Sequence, residues 1–334
     1  MKLRDCLGRS RWLRLPGGRR VLRAGLQGAV AAAVLFLLLC FLFPFDIDRL
    51  KSYPASSWVT ASDGQWLRVY RSSDDEFRFA KGLEEISDWI ELATIAVEDR
   101  NFRTHQGVDF PAIVRAAWQN LVRMRVHSGA STLTMQLVRI LDQRPRTIAS
   151  KLVESFYALQ IDARLDKDSI LCAYLNLAPY GGNLRGVEAA ARRYLGKPAS
   201  QLSLGEAALI AGLPQGPSRL RPDRHYERAL SRRRVVLEAM LREAFISQAQ
   251  FEEALRSRPA IKVHPWPFRA PHFSDLARRR AERFGRRAGE LRTCLDPGVQ
   301  EVARVYLQDH LQRSADTLAG LGAAVVVLEV ETGE

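Results

Sequence analysis

At 334 residues, with 47% hydrophobic and 26% charged side chains, the chain is long enough for one large domain or two smaller ones and apolar enough to bury a core. Its net charge of +13 points to an anionic partner: nucleic acid, a membrane surface or a phosphate-bearing substrate. The lack of a recognisable aromatic-rich binding module argues against nucleic acid, and four dispersed cysteines without CxxC or HExxH spacing exclude a disulfide framework and a zinc motif.

Residues 1–23 form a basic arm with Lys2, Arg4, Arg9, Arg11, Arg14, Arg19, Arg20 and Arg23. The uncharged stretch 24–45 follows, about the 20 residues that cross a bilayer. Lysines and arginines stay on the cytoplasmic side, so the reading is a single-pass anchor in the cytoplasmic (inner) membrane, N-terminus inside, with the rest outside the cytoplasm. A cleaved signal peptide is the rival; the apolar run is long for one, and no Ala-x-Ala-like site follows it.

Residues 46–82 read as a β-like connecting region, with runs at Ser57–Ala61 and Trp66–Tyr70 and the turn signal Ser62-Asp63-Gly64 between them. Helical spacing dominates 83–256, in Leu92, Ile95 and Ala96 and again in Ile113, Ala116, Ala117 and Leu121. Asp166 opens a helix through Leu175, Pro179-Tyr180-Gly181-Gly182 breaks it, and Ser203 with Glu206 fits a capping box before the next apolar helix. Arg228 to Ala244 is a basic amphipathic helix. Residues 257–322 read as a linker region, extended over Pro259–Pro271 and a solvated helix or loop over Arg278–Arg292; 323–334 read as a strand and turn lacking a partner.

Several residue sets can carry chemistry. Glu98 ends the apolar run 90–97, where desolvation raises a carboxylate toward a base-competent pKa; the plain alternative is a surface Glu-Asp-Arg cluster at a helix end. Ser131, Thr132 and Gln136 follow Gly129 in a loop-to-helix sequence whose free N–H groups attract phosphate, with Arg139 adding charge; an ordinary N-cap is the alternative. Lys151 and Glu154, three apart, share a helix face, either as a surface ion pair or as a diphosphate ligand and a second carboxylate. The segment Ala112–Val126 is readable as an interfacial helix or as a partly buried amphipathic one.

Taken in order, these sets resemble all five motifs of the peptidoglycan glycosyltransferases, glycosyltransferase family fifty-one, the polymerase module of class A penicillin-binding proteins. Glu98-Asp99-Arg100, His105, Gly107 and Asp109 match the first motif. Gly129, Ser131, Thr132, Thr134 and Gln136 match the second, and Lys151 with Glu154 the third. Lys167, Ile170, Leu171, Tyr174, Leu175 and Asn176 match the fourth, and Glu206–Pro214 with Pro217-Ser218 the fifth. Met135, the turn at 178–182, the run 218–224 and Ala270-Pro271-His272-Phe273 narrow the resemblance to one subgroup. Met135, Ser150 and Cys172 depart from the commoner Gln, Arg and Glu, and neither carboxylate is lost.

The resemblance implies a mainly α, lysozyme-like glycosyltransferase domain behind a transmembrane helix, with a small β-hairpin region before it and the first strand of an incomplete transpeptidase domain at 323–334. The implied activity is polymerisation of lipid II into glycan strands in cell wall biogenesis, with the catalytic domain in the periplasm. Glu98 and Glu154 are the implied catalytic pair. Ser131, Thr132, Gln136, Arg139, Lys151, Asp99, Arg100, His105 and Asn176 are the implied substrate-binding set. A divalent metal (Mg or Mn) on the diphosphate is compatible with this reading, with its ligands unassigned and no organic cofactor. The implied partners are lipid II, the lipid-linked glycan chain, the membrane and cell-wall synthesis proteins, and no nucleic acid. No Ser lies three residues before a Lys, so no transpeptidase activity is expected. Two carboxylates beside a sugar also suit a lysozyme-like hydrolase, and a non-catalytic cell-wall scaffold is a third reading.

Overall fold

The computed structural model describes residues 34–50, 52–123, 131–145, 147–286 and 288–313, with residues 27, 28, 31 and 325. The strand expected over 323–334 and Gly129 lie outside the described residues, apart from Val325.

The hairpin forms as its turn residues predict. Strand β1 (Ser57–Thr60) pairs antiparallel with β2 (Trp66–Tyr70), and the register shifts once, between Val59 and Thr60. Gly64 takes φ +82°, a conformation that costs glycine little, and Asp63 accepts from the Gln65 N–H at 2.8 Å. Strands β3 (Phe77–Arg78), β4 (Pro179–Gly181) and β5 (Leu184–Arg185) make a second small sheet in the order β3-β5-β4.

The helical body comprises α1 (Asp88–Glu98), α2 (Phe110–Arg123), α3 (Leu133–Asp142), α4 (Ile148–Asp162), α5 (Lys167–Leu177), α6 (Val187–Leu195), α7 (Leu204–Ala211), α8 (Tyr226–Arg242) and α9 (Gln248–Arg256). Its starts are chemically marked. Asp166 accepts from the Ser169 N–H at 2.7 Å, Thr132 from Met135 at 3.2 Å and Thr147 from Ser150 at 3.1 Å, and Glu206 reaches back to the Ser203 N–H at 2.9 Å. Helix α7 is apolar around most of its circumference and is correspondingly buried from Ala207 to Ala211. It packs on α1 and α8, while α3 packs on α4 and α5. One continuous core joins these layers through Ile90, Leu133, Leu137, Ile161, Leu171 and Val236.

Within 257–322, expected as a linker region with a solvated helix or loop over Arg278–Arg292, lie α10 (Pro271–Arg283), strand β6 (Gly289–Arg292) and α11 (Pro297–Arg313); the strand is the departure from that reading. Strand β6 pairs parallel with β1, giving the order β2-β1-β6. Its single buried apolar residue, Leu291, joins Val59, Leu67 and Tyr70 in a satellite core. One leucine among arginines carries no visible alternation, so nothing in the side-chain pattern predicts the strand.

Of the expected anchor 24–45, residues 34–42 are helical, with Val34, Leu35, Leu37, Phe41 and Leu42 exposed. Among the described residues no helix is long and apolar enough to cross a membrane. The exit from this segment is clamped onto α4. Gln160 accepts from the Phe45 N–H at 2.8 Å and donates to the Phe43 carbonyl at 3.2 Å, and Arg164 donates to the Phe45 carbonyl at 3.1 Å.

Candidate active site

Helices α1, α3 and α4 bring the polar residues of the first three motifs together, with α5 and α8 adding one residue each. Helix α1 buries Ile90, Ala93, Ile95 and Ala96 and ends on Glu98, so the carboxylate emerges where the apolar layer stops. It does not face an apolar wall alone. Gln136 on α3 donates to Glu98 Oε2 at 2.9 Å, and Arg232 Nη2 on α8 stands 3.4 Å from Glu98 Oε1. Tyr174 on α5 donates to Gln136 Oε1 at 3.4 Å, which fixes the amide with its NH₂ toward Glu98. Burial, and then the Glu98 charge, push the Tyr174 phenol well above its usual value, so it serves as a neutral donor.

Glu154 on α4 is fully buried and answered by a two-pronged arginine. Arg139 Nε and Nη2 on α3 donate to Oε1 and Oε2 at 2.8 and 2.7 Å. This fork geometry is the strong form of the ion pair. Hydrogen bonding to Glu154 pushes the Arg139 guanidinium above its usual range.

The remaining expected site residues divide by position. Asp99 and His105 are buried: His105 Nε2 lies 2.9 Å from Asp99 Oδ2, and the same oxygen accepts the Leu133 N–H at 2.9 Å, at the start of α3. Thr132 donates to the Gly107 carbonyl at 2.6 Å. These three tie the first motif to the second. Ser131 is half-buried beside them, and Lys151 is exposed on α4. Arg100 is largely exposed, 4.0 Å from Glu243. Asn176 sits away from Glu98. Two residues beyond Tyr174 it faces another side of α5, where it receives the Lys81 N–H at 2.9 Å and donates to the Lys81 and Cys172 carbonyls at 2.8 and 2.9 Å. Its polar atoms are spent on holding the segment before α1.

Arg232 and Tyr174 were not among the expected site residues. Arg232 falls four before Val236 and eight before Met240, on the stripe that α8 buries. A cation at core spacing demands an anionic partner, and that was the available signal.

Gly107 has φ +76°, and a Cβ there would run into the Ala158 carbonyl on α4. Gly107→Ala is therefore expected to destabilise the protein by about 1–3 kcal/mol, read as a lowered melting temperature. An unchanged melting curve would contradict this packing.

Among the described residues no three His, Cys, Asp or Glu side chains converge to hold a metal, and Glu154 gives both oxygens to Arg139.

The transglycosylase family profile matches residues 63–241, more than half of the chain. The chain belongs to the transglycosylase family. It is similar to penicillin-binding protein 1C of Escherichia coli (strain K12), 40% identical over 274 residues that cover 80% of this chain and 35% of that protein. It is also similar to penicillin-binding protein 1A of Aquifex aeolicus (strain VF5), at 37% identity over 87% of this chain and 41% of that one. Penicillin-binding protein 1A of Escherichia coli (strain K12) is 36% identical over 76% of this chain and 30% of its own length. The chain thus spans less than half the length of each of these relatives.

Proposed function

We propose that the chain is a peptidoglycan glycosyltransferase that polymerises lipid II into glycan strands. The observation that carries this reading is the convergence of Glu98, Gln136, Arg139 and Glu154 from α1, α3 and α4, in a chain of the transglycosylase family. Glu98 takes the proton from the acceptor sugar's 4-hydroxyl, the oxygen attacks the donor's anomeric carbon with inversion, and the C–O bond to the lipid diphosphate breaks. Arg139 and Lys151 offset the charge that grows on the leaving diphosphate. Ser131, Thr132 and Gln136 position the donor, and Glu154 holds the Arg139 fork in place. With both oxygens taken by Arg139, Glu154 is poorly placed to act as the free acid a hydrolase needs, which favours synthesis over hydrolysis.

Membrane-bound substrates call for a membrane-facing enzyme. Residues 24–45 act as the single-pass anchor, with the helical domain in the periplasm. Phe110, Val114 and Trp118 recur every four residues on the exposed side of α2, while Ile113 and Ala116 turn inward. Ile148 and Leu152 are likewise exposed on α4. Such stripes suit the lipid interface.

The test is incubation of the purified, detergent-solubilised chain with lipid-linked disaccharide precursor. Polymeric glycan is the expected product. A folded chain that consumes no precursor would overturn the polymerase reading, and digestion of finished wall instead would establish the hydrolase.

A further inference from the structure

Three facts about Arg232 link it to Glu98 and to Gly212. Its side chain is 13% exposed, and the Glu98 side chain beside it is 12% exposed. Its Nε is buried and has no hydrogen-bond partner among the described residues, so Nη2 at 3.4 Å from Glu98 makes its only recorded polar contact. Its stem lies against Gly212, the residue just after α7, where a Cβ would come within 2.8 Å of Arg232 Cγ. The Gly212 backbone is ordinary right-handed helix, φ −76° and ψ −19°, which any residue adopts. Conformation therefore does not demand glycine here; the room taken by the arginine stem does. Cγ is the base of the side chain, so it cannot swing aside without moving the guanidinium.

We propose that Gly212 and Arg232 form a positioning pair for Glu98. The bare Gly212 seats the Arg232 stem, and the seated guanidinium holds one oxygen of the Glu98 carboxylate while Gln136 holds the other. This rests on the reading of Glu98 as the base. Gripped from α3 on one side and α8 on the other, the carboxylate has a fixed plane, and its remaining lone pairs are aimed at the acceptor hydroxyl. Orientation of this kind is worth up to about a hundredfold in rate for a displacement of about 1 Å. Burial lowers the pKa of the Arg232 guanidinium and the Glu98 charge opposes that shift, so the cation keeps its charge beside Glu98. The sequence interval between them is 134 residues, and α7, which packs on both α1 and α8, brings them together.

The experiment measures kcat and KM for glycan formation by the full chain in detergent for Arg232→Ala, Arg232→Lys, Gly212→Ala and the double variant, with a melting curve for each. Arg232→Ala is expected to lower kcat about 10- to 100-fold and leave KM within about twofold, and Arg232→Lys to recover part of the loss. Gly212→Ala lowers kcat in the same sense. The double variant is no slower than Arg232→Ala, because the shortened side chain leaves room for the new methyl. A raised KM with unchanged kcat would put Arg232 on the substrate and overturn the proposal, as would losses that multiply. A parent that makes no glycan defeats the polymerase reading instead, and the melting curves still read the seat. Gly212→Ala must lower the melting temperature of the parent and not that of the Arg232→Ala variant; equal losses in both backgrounds overturn the pairing.

Discussion

Glu98→Gln abolishes glycan formation and leaves the domain folded: this is the expected result with the largest effect on activity. The carboxamide has the shape of the carboxylate and keeps an oxygen to accept from Gln136 or Arg232, so the contacts that end α1 survive in part. What it cannot do is take a proton from a sugar hydroxyl. Loss of a positioned general base costs about 10²–10⁴ in rate, enough to bring polymerisation near background in a gel assay of chain length. A variant within about tenfold of the parent would show that the proton goes elsewhere. A matched melting curve separates this from unfolding.

Arg139→Met carries the largest expected effect on stability. Glu154 has a side-chain exposure of 1%, and both of its oxygens rely on one guanidinium. Removing that partner leaves a buried carboxylate uncompensated, at a cost of about 3–5 kcal/mol; for a domain of this size that is a fall of roughly 6–20 °C in melting temperature. Arg139 is partly exposed, which lets some water reach the vacated place and puts the expectation toward the lower figure. The paired change Arg139→Met with Glu154→Leu recovers most of the loss, since no buried charge remains. A single variant that melts with the parent would show that Glu154 finds another partner.

The parts of this site that could be read from the sequence are those where chemistry is local. Asp166 and Ser203 announce their helices through the residue that caps and the residue three further on, and the structure forms both contacts. Glu98 stands out because an apolar helical run stops there. Partnerships across the chain were not readable. Nothing near Glu98 names Arg232, and nothing near Glu154 says that α3 presents Arg139 to it. Asn176 enters the expected site only through the resemblance to the fourth motif; two residues beyond Tyr174 on α5, it faces Lys81 and Cys172, whereas Tyr174 faces Gln136. Strand β6 is hidden for a different reason: its pairing is supplied by the β1 backbone, and backbone hydrogen bonds leave no mark on side-chain identity.

The clamp of Gln160 and Arg164 on the chain at Phe43 and Phe45 bears on mechanics. With no slack between residues 34–42 and the helical body, the domain has a mount in place of a leash. On the proposed anchoring, its height above the membrane is set by Gln160 on α4, the helix that also carries Lys151 and Glu154, and by Arg164 just beyond it. On that reading, tension on the N-terminal helix would reach α4 at Gln160, further along that helix than Glu154. A growing polymer pulled from the far side would load the same joint.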